Sequence, residues 1–359
     1  MNSKFQKRLY DRQEKGSLRS LLSFDGLVDF WSNDYLGLAQ VLHAVEIRGS
    51  TGSRLISGNS RIVETIEKQL ADHFQSESAL IFNSGYDANL GLFSSLPQKG
   101  DTILYDELVH ASVRDGIRLS FANAYSFKHN NPEDLKRKLE KARGSIFVAV
   151  ESLYSMDGDI APLVEINQLC REYDAFLIVD EAHSGGVFGE EGTGLCCELG
   201  IQQDVFIRLF TFGKAYGAHG AAVCCPEIVR QYLINFARSF IYTTALPEGF
   251  YQHIAHQVEL SKSSVLREQL QQNIAYFSLQ VHSSTSSNRS PIRVVEFPDR
   301  ETCKAKAEEL QQSGFAVKAI LPPTVPAGIQ RLRFCIHASN TKTEIERLSR
   351  VLYGNQSVL

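Results

Sequence analysis

Short, near-continuous apolar runs alternate with amphipathic helical stretches along most of this 359-residue chain, and no other feature constrains its fold as much. The runs Ala79–Phe82, Thr102–Tyr105, Ser145–Val150, Ala175–Val179, Val205–Phe210 and Ala221–Cys225 are each strand-sized. Between them, Ile62, Val63, Ile66, Leu70 and Phe74 recur at helical spacing. Pro162 opens another such stretch through Ile166, Leu169, Cys170 and Tyr173, at a position where a missing N–H costs nothing. Strands apolar on both faces and separated by helices predict a mostly parallel sheet covered on both sides. After a polar connector, 282–288, the texture changes. Strand-like 292–297, 316–320 and 331–336 are interleaved with helix-like 301–312 and 343–352, which reads as a small α+β unit. The expected organisation is an N-terminal arm over 1–40, a large α/β domain over 41–245 and a small domain over 246–359. That matches the rule of about 150 residues per domain.

Composition narrows the function classes. No apolar run approaches the roughly 18 residues of a membrane span, so no membrane association is expected. The first residues are polar and lack the apolar core of a secretion signal; Asp11 and Glu14 interrupt the basic residues an import sequence would need. Net charge is −4, and the basic run Lys136-Arg137-Lys138 reads as the wet face of a helix, so no nucleic-acid partner is expected. Seven cysteines, with Cys196-Cys197 and Cys224-Cys225 adjacent and no C-x-x-C, predict reduced thiols in a cytoplasmic protein without a metal site. The motifs for dinucleotides, P-loops, zinc proteases and α/β-hydrolases are absent.

Polar clusters follow the strand candidates, where open parallel sheets place ligands. Asp180 ends one apolar run and opens Asp180-Glu181-Ala182-His183. Lys214 follows the next, in Thr211-Phe212-Gly213-Lys214. Asp180 could merely cap a turn, and a lone lysine is usually a solvated charge. Desolvated or beside another cation, however, Lys214 becomes an amine nucleophile. An acid and a lysine on neighbouring strand ends suit pyridoxal phosphate, with the lysine bonded to the cofactor and the acid paired with its ring nitrogen. Asn83-Ser84-Gly85-Tyr86 precedes a helix and offers amides to a phosphate. His110 could stack on an aromatic ring or be a half-buried histidine at a helix start. Ser155, in Glu151–Asp159, offers a hydroxyl.

Together, Ser32–Leu38, Gly52–Gly58, His110-Ala111-Ser112, Ser155–Gly158, Asp180–His183 and Thr211–Lys214 resemble the α-oxoamine synthases, over nearly the whole chain. These pyridoxal-phosphate enzymes condense an amino acid with an acyl thioester and release carbon dioxide. The resemblance implies the fold-type I architecture, with a seven-stranded, mostly parallel sheet and a smaller α+β C-terminal domain, in a homodimer with shared active sites. It implies that Lys214 holds the cofactor and moves the Cα proton, that Asp180 pairs with the ring nitrogen and that His110 stacks on the ring. His183 and Ser155 would serve the ring oxygen, and Thr211 and the Gly85 and Tyr86 amides the phosphate. Thr243 and Thr244 match residues that reach a phosphate across the dimer. Arg333 matches the receptor of the amino-acid carboxylate, a bidentate task suited to arginine, and Thr324 a threonine near the substrate. Arg19, with Arg12 a nearby competitor, aligns with the arginine for the far carboxylate of a pimeloyl chain.

Within the family, Pro322–Gly328 followed by Arg331-Leu332-Arg333 is most similar to the biotin-pathway branch, which joins L-alanine to a pimeloyl thioester. Three alternatives stay open: a sister synthase using glycine and acetyl-CoA or another pair, an aminotransferase, and a non-catalytic partner subunit. The chain also departs from the family pattern. The link between Leu38 and Gly52 is short and lacks a proline-containing helical lead. His183-Ser184-Gly185-Gly186 and Ala215-Tyr216-Gly217-Ala218-His219 vary the usual small residues.

Overall fold

Each strand candidate of the large domain forms a strand in the computed structural model, which describes residues 2–14, 17–19, 21–46, 48–282, 286–322, 324–326 and 328–354. Within the expected connector, residues 283–285 lie outside that description, as do Pro323 and Ala327 of the proline-rich segment. The strands are β1 (Ser78–Phe82), β2 (Thr102–Asp106), β3 (Asn123–Phe127), β4 (Ile146–Glu151), β5 (Phe176–Asp180), β6 (Ile207–Thr211) and β7 (Ala221–Cys225). Among the described residues they make a seven-stranded sheet in the order β1-β7-β6-β5-β4-β2-β3, in which β7 alone runs antiparallel.

The alternation of side chains decides what covers each face. Leu80, Phe82, Leu209, Ala221 and Val223 pack with the helix Gly85–Ser95 through Ala88, Leu92 and Phe93. Ala79, Ile81, Phe210, Ala222 and Cys224 pack on the other face with Val63, Ile66 and Leu70 of the helix Arg61–His73. Each fully buried leucine or phenylalanine contributes roughly 1.5–3 kcal/mol of transfer free energy. None of the seven cysteines, all among the described residues, is in a disulfide. Burial pushes Cys170, Cys224 and Cys225 up to about 12.

The chain divides into two compact units, with limits that correct the expected ones. The large unit is Asn33–Ser155 with Asp159–Leu270; the other is Met1–Ser32, Met156–Gly158 and Gln271–Leu359. The large unit extends past 245 because the helix Glu248–Ser261 buries Tyr251, Ile254 and Val258 in the core that also holds Val63 and Leu70. The 1–40 segment is not one arm. Val28–Asp29 pairs in parallel with Phe315–Ala316 in the small unit, whereas Tyr35 is buried in the large one. The small unit contains a three-stranded antiparallel sheet, Lys318–Ile320, Arg331–Cys335 and Ile292–Glu296, with helices Arg300–Gln312 and Lys342–Tyr353. A capping box between Thr341 and Glu344 starts the last helix. Among the described residues no helix is long and apolar enough to cross a membrane, and no cluster of His, Cys, Asp and Glu is arranged to hold a metal ion.

Candidate active site

The carboxyl ends of β1, β2, β4, β5 and β6 open onto one cavity of about 280 Å³. Seven of the residues singled out in the sequence line it: Gly85, Tyr86, His110, Asp180, His183, Thr211 and Lys214. A larger cavity of about 770 Å³, lined by His73, Glu190, Glu191, Glu259 and Lys262 among others, shares no residue with it and stands apart from these strand ends.

Asp180 is the last residue of β5 and is 8% exposed. Its Oδ1 accepts from the Ala182 amide at 2.9 Å and its Oδ2 from Asn89 Nδ2 at 2.9 Å. These two donors fix the orientation of the carboxylate. Lys214 rides on the turn between β6 and β7. Phe212 N donates to Gly220 O at 2.9 Å, and Gly217 N to Lys214 O at 2.8 Å. Antiparallel β7 therefore has a mechanical role, because its reversal returns the chain tightly enough to present the lysine at the carboxyl end of β6.

Gly217, with φ of 61°, lets that turn sit on the backbone of Leu38 and Ala39; a Cβ there would stand 2.2 Å from Ala39 N. Gly217→Ala is expected to cost about 2–4 kcal/mol, combining left-handed strain with a clash that a backbone cannot yield to. Equilibrium urea unfolding checks this, and a loss below about 0.5 kcal/mol, the size of an ordinary surface change, would contradict it.

His110 caps the helix Ala111–Leu119, and its Nδ1 accepts from the Ser112 amide at 3.2 Å. That leaves Nε2 as the protonated nitrogen of the neutral ring. Burial lowers the His110 pKa; Asp180 opposes that and Lys214 adds to it. Tyr86 meets the imidazole edge-on at 6.3 Å between centroids, and its hydroxyl bonds Asp115. His183 Nδ1 lies 2.7 Å from Tyr35 Oη. At the phosphate-like end, Ser84 caps the helix Gly85–Ser95 by accepting from Asp87 N at 3.1 Å. A Cβ on Gly85 would stand 2.5 Å from Thr211 Cγ2, so this first turn meets β6 more closely than a side chain permits.

Other singled-out residues lie outside the cavity lining. Ser155 is half-buried. Thr243 and Thr244 join the β1 end through Asn83, whose Nδ2 donates to Thr243 Oγ1 at 3.2 Å and to Thr244 O at 2.8 Å. Arg19, Thr324 and Arg333 belong to the small unit. There Arg19 and Thr324 are exposed, whereas Arg333 is buried with Nη1 donating to Cys335 Sγ at 2.9 Å.

Sequence reasoning missed Asn89 and Glu151. Asn89 lies one helical turn beyond Gly85 and so shares its face, a signal that was available. Glu151 lines the cavity at the end of β4, buried, and its Oε1 has no partner among the described residues. Burial first and Asp180 second raise its pKa to about 8, so it is largely protonated at neutral pH. Its burial beside a second carboxylate could not be read from local spacing.

A buried carboxylate at one end, a helix N-terminus built around a cradle at the other, a flanking imidazole and a lysine between strands fit pyridoxal phosphate. Residues 25–352 match the family model for class I and II aminotransferases. The chain is 41% identical to an 8-amino-7-oxononanoate synthase of Emericella nidulans, across 89% of this chain and 87% of that one. A solved 8-amino-7-oxononanoate synthase from Francisella tularensis superposes with a TM-score of 0.78 at 31% identity, covering 91% of this chain and 97% of its own. A serine palmitoyltransferase from S. paucimobilis, solved with bound PLP–myriocin, superposes with a TM-score of 0.88 at 25% identity, covering 98% and 96%.

Proposed function

The chain belongs to the class I and II aminotransferase family and, within it, to the α-oxoamine synthases, and from that premise we propose that it carries out the reaction of 8-amino-7-oxononanoate synthase. It joins L-alanine to a pimeloyl thioester, releasing the thiol and carbon dioxide, in biotin synthesis. What carries the proposal is the convergence of Lys214, Asp180 and His110 on one cavity at the strand ends.

Bound pyridoxal phosphate supplies an electron sink for a carbanion at the amino acid's Cα. Lys214 is the amine that holds the cofactor and that removes and returns the Cα proton. Asp180, fixed by Asn89 and Ala182, keeps a proton on the ring nitrogen. His110 covers the ring face, and His183 and Ser155 bind at the ring oxygen. The Gly85 and Tyr86 amides and Thr211 hold the phosphate, with Thr243 and Thr244 reaching it across a homodimer. Arg333 receives the amino-acid carboxylate, Thr324 stands near the substrate, and Arg19 takes the far carboxylate of the pimeloyl chain. The enzyme works in the cytoplasm.

Thiol release measured for alanine and glycine, each with pimeloyl and acetyl thioesters, tests this. The alanine–pimeloyl pair is expected to be about 10- to 200-fold faster than glycine–pimeloyl, the range a single methyl group commands in a fitted pocket. Fastest release from glycine and acetyl thioester would assign a sister synthase instead. Amino-group exchange without thiol release would assign an aminotransferase.

A further inference from the structure

His129, just beyond β3, stands between two carboxylates that the mechanism does not use. Its Nδ1 lies 2.9 Å from Asp106 Oδ1 and its Nε2 2.7 Å from Asp159 Oδ2. A neutral imidazole has one N–H, so its second nitrogen would face a carboxylate lone pair; only the protonated ring donates to both. Burial alone would lower its pKa, but the hydrogen bonds to Asp106 and Asp159 prevail and push it up to about 10. The Tyr154 ring meets the imidazole edge to face, 4.5 Å between centroids at 88°.

Both carboxylates belong to segments that lead to site residues. Asp106, fully buried at the end of β2, also accepts from the Leu108 and Asn130 amides, each at 2.8 Å. It thereby shapes the turn that ends at His110. Asp159 belongs to the hairpin that carries Ser155: Tyr154 N donates to Asp159 O at 3.0 Å, and Leu153 bridges Ile160. Asn130 Nδ2 bonds Asp159 as well. The other ionisable groups on these segments are Glu107, whose Oε1 accepts from His129 N at 3.1 Å, Lys128, Glu133, Asp134, Glu151, Tyr154 and Asp157, the last ion-paired with Arg331.

We propose that His129 is a positioning residue, an imidazolium held between two carboxylates that pins the turn carrying His110 to the hairpin carrying Ser155. The roles of those two residues rest on the function proposed above; the clamp itself rests on the distances. Because the folded pKa lies above the ordinary 6.5, the stability the charge contributes is complete below that value and is lost as pH rises through about 10. Across the neutral range the clamp does not titrate.

Two variants of the pyridoxal-phosphate holoenzyme test it, read by visible circular dichroism of the lysine-bound cofactor between pH 6 and 9. His129→Gln loses the charge, so in folded protein the visible dichroism is expected to fall severalfold. With the preferred substrates, kcat/KM falls about 10- to 100-fold, the penalty for sub-ångström misplacement of reacting groups. Asp159→Asn leaves one carboxylate, so the imidazolium pKa drops and an alkaline loss of dichroism appears within about one to two units above neutral, over and above any change that wild type shows as Glu151 ionises near 8. A folded His129→Gln with the wild-type band, or an Asp159→Asn profile that superposes on that of wild type, overturns the proposal. If His129→Gln does not fold, Asp159→Asn decides alone. The dichroism uses no substrate, so a wild type with a normal cofactor band but no turnover of any pair would fault the proposed function and leave this test intact.

Discussion

Replacing Lys214 with alanine is expected to reduce thiol release from alanine and the pimeloyl thioester by about 10⁴-fold, the upper range for losing a positioned base. Two losses coincide: the amine that holds the cofactor and the group that moves the Cα proton. The fold should survive, because the turn is closed by backbone bonds, Phe212 N to Gly220 O and Gly217 N to Lys214 O, that do not involve the side chain. Dialysed variant protein should lose the visible band of lysine-bound cofactor while its thermal unfolding stays near that of wild type. A Lys214→Ala enzyme retaining activity within tenfold of wild type would remove the lysine from the mechanism.

Asp180→Asn is the second large effect, with kcat expected to fall about 10²- to 10³-fold, as when one preorganised electrostatic partner is removed. The carboxamide preserves shape and still accepts from Ala182 N, but it carries no charge to hold a proton on a ring nitrogen. Its own NH₂ also competes with the Nδ2 of Asn89 for the space now filled by a 2.9 Å hydrogen bond. A second readout follows from Glu151, whose pKa is raised to about 8 by burial first and Asp180 second. Without that neighbouring negative charge, Glu151 ionises at lower pH, and its carboxyl infrared band should disappear earlier in an alkaline titration. Near-normal turnover in a folded Asp180→Asn protein would refute the pairing.

Much of this could be read from the chain because the central strands are buried on both faces, which writes them as uninterrupted apolar runs. β3 was not legible. It is an edge strand, largely exposed and with Tyr125 55% accessible, so no burial pattern marks it. The unit boundary failed for a related reason: the apolar face of the helix Glu248–Ser261 says that it packs, but not that its neighbour is the helix Arg61–His73, far back in sequence. Lys214, Asp180 and His110 were legible because each sits at, or a few residues beyond, the carboxyl end of a strand, where position implies purpose. Asn89 and Asp180 are 91 residues apart, and only the fold turns that separation into a hydrogen bond. His129 lies in a stretch whose text resembles any loop; its two carboxylates arrive from either side in sequence.

The small unit is assembled from both ends of the chain, with Val28 facing Phe315 and Asp29 facing Ala316 in one parallel ladder. During synthesis at about 5–20 residues per second, these partners leave the ribosome roughly 15 to 60 s apart. The large unit's sheet is complete at Cys225 and its last helices follow soon after, so it can fold while the early strand still waits for its complement. The order of folding thus departs from the order of synthesis: the middle of the chain matures first, and its beginning is finished last.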